Sequence, residues 1–164
     1  MPLESKDHRL LTAASGYCEL GMFPEAKSEL DQISPDESHS IEVIKGWLEV
    51  YSGLREWVPM QALAEKMTVL QPDEPDGWIA RAYATRRAES IAAAKVILLE
   101  ALQRYPGEPM IRFNLACYDC QLGDLQSARV YLEHAIKLHP GLKAAALGDP
   151  DLEPLWESLV EGVL

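Results

Sequence analysis

Two cysteines three residues apart, in Cys117-Tyr118-Asp119-Cys120, are the residues whose types and spacing most directly invite chemistry. Such a pair forms half of a tetrahedral zinc site or a redox dithiol. A zinc site needs four ligands, and only Cys18 with the scattered His8, His39, His134 and His139 remain to complete one. A redox pair wants a helix N-terminus to lower a thiol pKa, whereas these cysteines fall in the middle or late part of a helical pattern. Small residues on a helix face are the favoured reading, and no metal or other cofactor is expected. There is no glycine-rich phosphate loop, HExxH pair or nucleophile elbow, and the histidines do not cluster with a nucleophile. The sequence therefore points away from an enzyme. Arg86 and Arg87 offer a different chemistry, because guanidinium forks hold a carboxylate through paired hydrogen bonds. The competing reading is a helix end whose arginines pair with the chain's own acidic tail or ease the C-terminal dipole.

Charge sets the partners. The 164 residues carry a formal charge of −11, which argues against nucleic acid, since phosphate attraction needs a basic face. Residues 1–76 hold 15 acidic and 6 basic side chains, a net of −9. Residues 77–148 hold 6 acidic and 9 basic, a net of +3, and the tail from Asp149 has five acids and no base. These blocks can pair within the molecule, steer a charged partner or simply keep the chain soluble. No run reaches the ~20 apolar residues of a membrane helix. The opening Met1-Pro2-Leu3-Glu4-Ser5-Lys6-Asp7 lacks a secretory apolar region, and the odd cysteine count disfavours a disulfide framework, so a cytoplasmic location is expected.

The elements that must position these residues follow from a regular spacing. Pro72, Pro106 and Pro140 recur every 34 residues, as do Ala94 with Ala128, Ala101 with Ala135, and Ala82 with Ala116. Small residues at fixed offsets in a repeat of this length are the sequence form of stacked helical hairpins. Four repeats follow, at 7–40, 41–74, 75–108 and 109–142, forming one domain over 1–164 with a capping segment at 143–164. The turns within the hairpins are placed at Leu20-Gly21-Met22, Gly53-Leu54-Arg55, Arg87-Ala88-Glu89 and Leu122-Gly123-Asp124. Gly21 and Gly123 suit a left-handed helix end, while Pro24 and Pro59 suit the opening turn of a second helix. Ser34-Pro35 breaks the lattice, so the second helix of the first repeat should end early. Ala26, Ala94 and Ala128 mark the close approach within hairpins, and Tyr17, Tyr51, Phe23, Trp57, Leu98 and Leu132 fill the gaps. Arg81 and Arg112 stand where an apolar side chain is expected. Asp149-Pro150-Asp151 reads as a capped turn into a last short helix, with Leu155, Trp156 and Leu159 on one side and Trp156 expected to pack on repeat four.

The pattern resembles the tetratricopeptide repeat family, most clearly in Asn114-Leu115-Ala116, Leu122-Gly123-Asp124, Ala128, Leu132, Ala135 and Pro140. The resemblance implies an all-α, right-handed superhelical solenoid, closed by a segment like that of some bacterial arrays. It also implies that the first helix of each hairpin lines an inner groove. Stripes on those helices run His8, Leu11, Ser15, Cys18; Glu42, Lys45, Glu49, Ser52; Asp76, Ile79, Tyr83, Arg86; and Met110, Phe113, Cys117, Cys120. Leu11, Ser15 and Glu49 do not match the lysine and asparagines with which one class of the family grips a peptide's terminal carboxylate. The expected function is non-catalytic binding of a protein or peptide, as adaptor, scaffold or assembly factor, through Ile79, Tyr83, Arg86, Arg87, Met110 and Phe113. The alternatives are a secretion-type chaperone holding a client segment, and an array that self-associates through its N-terminal end. Partial coverage of Met110 and Phe113 by the tail is the favoured picture of the apolar end.

Overall fold

The computed structural model of the chain describes residues 5–162, and the regular structure among them is entirely helical. The chain divides into two compact units, Met1–Ala84 and Thr85–Leu164. Of the stretch from Pro2 to Lys6 ahead of the first repeat, Ser5 and Lys6 belong to the first helix, and residues 2–4 lie outside the described part.

In the first unit, α1 (Ser5–Glu19) pairs with α2 (Phe23–Leu30), and α3 (Ile41–Leu54) with α4 (Trp57–Leu70). The fifth helix, α5 (Asp76–Ala88), begins here and ends in the second unit. Gly21 lies at φ +72°, the left-handed conformation that lets α1 stop and the chain turn at once. Pro24 sits in the first turn of α2, where its missing N–H leaves no helix bond unmade. That helix has 8 residues against 14 in α4, the early end expected for the second helix of the first repeat. The loop beyond it is tied back to α1, because the Ser34 hydroxyl donates to the buried Asp7 carboxylate at 2.5 Å. Ala26, Val43 and Val50 are completely buried in one core cluster, and Ile44, Ala64 and Met67 anchor the next.

The second hairpin turns two residues beyond its glycine. Gly53 lies inside α3, and Arg55 takes the left-handed conformation at φ 58°. A Cβ on Gly53 would lie 2.2 Å from the Phe23 ring, so glycine is there to admit that ring rather than to turn the chain.

In the second unit, α6 (Ile91–Arg104), α7 (Pro109–Leu122) and α8 (Leu125–Leu138) follow the end of α5. Ser90 and Asp124 cap α6 and α8, each side chain accepting from a backbone N–H at 3.1 Å. Gly123, at φ +85°, ends α7. Ala94, Ala101, Ala128 and Ala135 are fully buried, the close approaches that the alanine spacing requires. Beyond Pro140 come α9 (Leu142–Gly148), a 3-10 segment (Pro150–Leu155) and α10 (Trp156–Val160). Leu152, Leu155 and Leu159 are at most 1% exposed, so these three leucines bury the tail. Trp156 is half-buried, and its indole Nε1 donates to the Ala146 carbonyl of α9 at 2.8 Å. This bond joins Trp156 to α9.

Candidate functional site

The middle of α7 is buried on every side: Leu115, Ala116, Cys117, Tyr118, Asp119 and Cys120 are all enclosed. A helix that shows no solvent face must be covered by several partners. Here α6, α8 and the 3-10 segment of the tail all pack on it. The contact with the tail gathers the polar groups of the candidate site.

Arg86, in the last turn of α5, grips Asp151 with both guanidinium branches. Nη1 bonds Oδ2, and Nη2 donates to Oδ1 at 3.1 Å. The guanidinium also stands over the Tyr118 ring, 5.4 Å from its centroid. Gln121 donates to the Asp151 carbonyl at 3.3 Å, and the Cys117 thiol donates to Asp149 at 3.7 Å. Asp149 caps the 3-10 segment by accepting from the Asp151 N–H at 2.9 Å. The hydrogen bond to Asp151 is the largest influence on Arg86 and raises its pKa, against a smaller opposing effect of burial.

The same surroundings silence the cysteines. Burial, followed by the charge of Asp149, pushes the Cys117 thiol far up, and burial with Asp119 raises Cys120 to about 11. Burial raises Tyr118 to about 12, with Arg86 pulling the other way. Thiols held in this way are protonated at neutral pH, the reverse of an activated dithiol. The Cys117 sulfur and the carboxylates of Asp149 and Asp151 lie within 4.8 Å of one another, a grouping with metal-ligand donors. Arg86 already occupies the Asp151 carboxylate, so a cation would have to displace a guanidinium and strip a thiol proton. The donor set fits arginine better than a metal ion.

A second buried charge supports α7 from the opposite element. Lys95 of α6 lies 2.5 Å from the fully buried Asp119, and this bond is the largest influence raising the lysine pKa.

The sequence-selected positions have distinct environments. Phe113 is 5% exposed and belongs to the core, while Met110 is 37% exposed. Arg87 is exposed on the last turn of α5. In the first unit, Ile79 is half-buried, and Tyr83 packs edge-on against Trp57 with centroids 5.9 Å apart. Also in that unit, Lys45 and Asp76 meet at 2.9 Å, bringing together stripe positions from successive hairpins. Arg81 is half-buried and reaches Glu65 at 3.0 Å, which accounts for a cation at an apolar position. Sequence reasoning passed over Tyr118, Gln121, Lys95 and Asp119. Only the acidic, base-free tail signalled that Arg86 would find its carboxylate within the chain.

No family model matches the chain, and no curated protein matches it. Among solved structures, the one named MamA MSR-1 C2, a tetratricopeptide-type protein, superposes with a TM-score of 0.64 at 18% identity. The match covers 79% of this chain and 74% of that one. The fold is thus all-helical and of the tetratricopeptide type. No helix among the described residues is long and apolar enough to cross a membrane.

Proposed function

We propose that this chain is a non-catalytic protein-interaction module, an adaptor, scaffold or assembly factor that holds a peptide or protein segment on the face of its first helices. The observation that carries this reading is the tail's contact with α7. There an arginine fork takes a carboxylate while Leu152, Leu155 and Leu159 are buried alongside. A segment from a partner with the same chemistry, an aspartate followed by leucines at helical spacing, would compete for that place. Arg87 and Met110 are the exposed candidate contacts in the second unit, Phe113 lies in the core, and Arg86 is the specificity group. Ile79 and Tyr83 are the candidates in the first unit. The raised thiol pKa values support the non-catalytic part of the reading.

The test uses a fluorescent peptide with the sequence of residues 149–160, added to the full-length chain. Anisotropy is expected to show saturable binding to a chain with its own tail loosened by Asp151→Ala/Leu155→Ala, and weaker binding to the unmodified chain. Adding Arg86→Ala to the loosened chain should abolish the binding. If the folded, loosened chain ignores the peptide, or binds it equally without Arg86, the reading fails.

A further inference from the structure

A second surface of the Thr85–Leu164 unit has a different character. Two adjoining cavities of about 390 and 330 Å³ run along α8, and both are bordered by Arg112 and His134. Leu102 and Tyr131 line the first, and Leu138 lines the second. Val130 and Leu138 remain 48% and 49% exposed. The lining extends along α8 from Gln126 to Leu138. A stretch of that length spans about 18 Å, room for a partner helix of roughly three turns.

Charge identifies the occupant. The chain has 26 acidic side chains against 15 basic ones, yet among the described residues no Asp or Glu lines either cavity. Arg112 and Lys137 do line them, and neither takes part in an ion pair among the described residues. By contrast, Arg86 and Lys95 in the same unit are matched with carboxylates. Arg112 spends one branch on the Pro106 carbonyl, which fixes its side chain at the rim. An apolar floor with unmatched cations along its edge is complementary to an amphipathic helix whose apolar stripe is flanked by carboxylates.

We infer that the groove of α8, floored by Leu102, Val130 and Leu138 and edged by Arg112 and Lys137, docks an acidic amphipathic helix of a partner protein. This is a site separate from the seat of the tail on α7, so one chain can hold two segments at once.

The probe is a labelled, helix-stapled peptide of about 14 residues, roughly four turns, with leucines on one stripe and glutamates beside it. Titrated with the full-length chain, it is expected to bind saturably. Val130→Asp/Leu138→Asp and Lys137→Glu should each weaken binding by about tenfold or more, and a lysine-flanked peptide should lose at least as much. Arg87→Ala/Met110→Ala should leave it unchanged, which separates this groove from the face of the first helices. Absence of saturable binding at millimolar chain overturns the inference, as does equal binding of the glutamate and lysine peptides. Sedimentation supplies the remaining outcome: a dimer dissolved by Val130→Asp/Leu138→Asp assigns the groove to a second copy and removes the partner helix. Should that double variant lose its helical circular dichroism, Lys137→Glu alone decides.

Discussion

Arg86 and Asp151, 65 residues apart in sequence, form a forked ion pair that ties the end of α5 to the C-terminal tail. The pair is partly buried, with side chains 20% and 26% exposed, so water screens it less than it would a surface contact. Around it the tail is held by two chemistries at once. The three leucines supply non-directional burial, while the arginine fork fixes which carboxylate meets which helix. A cap needs only the first of these. The second is what gives the place a chemical preference.

Removing either member of this pair leaves a charge in a half-buried setting with its partner gone. Asp151→Ala and Arg86→Ala are each expected to cost about 1–3 kcal/mol in urea unfolding. The double variant should cost less than their sum, since the second truncation removes a charge already unmatched. Strict additivity would mean that the two side chains touch without stabilising one another.

Lys95 and Asp119 make a sharper case, because the carboxylate is fully buried. Lys95→Ala should destabilise by about 3–5 kcal/mol, as expected when a buried charge loses its partner. Lys95→Met/Asp119→Leu should recover much of that loss by removing both charges. A double variant no more stable than Lys95→Ala would place the role of Asp119 elsewhere.

Much of the architecture was legible because it rests on spacing. Buried alanines at fixed intervals, Gly21 and Gly123 at positive φ, and prolines just beyond α4, α6 and α8 are local requirements with local signatures. What spacing could not convey was which groups face one another over long separations. Phe113 reads as a candidate contact from its stripe position, yet it is buried, because that stripe does not reveal how much of α7 the tail and neighbours enclose. The buried Asp119 looks from the sequence like any polar residue of an amphipathic helix, since its lysine lies on another helix. Gly53 was legible as special but not for the right reason. Its signal belonged to Phe23, a residue of another helix.

Gly53 and Arg55 accordingly should respond in opposite ways. Gly53→Ala forces a Cβ into the Phe23 ring, and the resulting overpacking should cost about 1–3 kcal/mol despite alanine's better helix propensity. Arg55→Gly relieves a left-handed non-glycine residue and is expected to gain about 0.5–1 kcal/mol. Thermal unfolding of the two variants checks both signs. A stabilised Gly53→Ala would mean that Phe23 moves aside freely.

Alkaline pH tests the enclosure of α7 as a whole. Cys120 moves from 9.0 unfolded to about 11 folded, Cys117 moves further up from 9.0, and Tyr118 moves from 10.0 to about 12. Each group holds its proton more tightly in the folded chain, so the unfolded chain releases protons first as pH rises. The stability these groups supply is therefore complete below about pH 9, where the unfolded thiols are still protonated, and is lost through the window up to their folded pKa values. Urea midpoints measured from pH 7 to pH 10.5 should fall above pH 9, with roughly the last unit adding the tyrosine. In Cys117→Ser/Cys120→Ser, which has no thiol at these positions to ionise, the early part of that fall should flatten. An unchanged slope in the double variant would mean that the thiols reach solvent in the folded chain, and the enclosed middle of α7 would have to open on the timescale of titration.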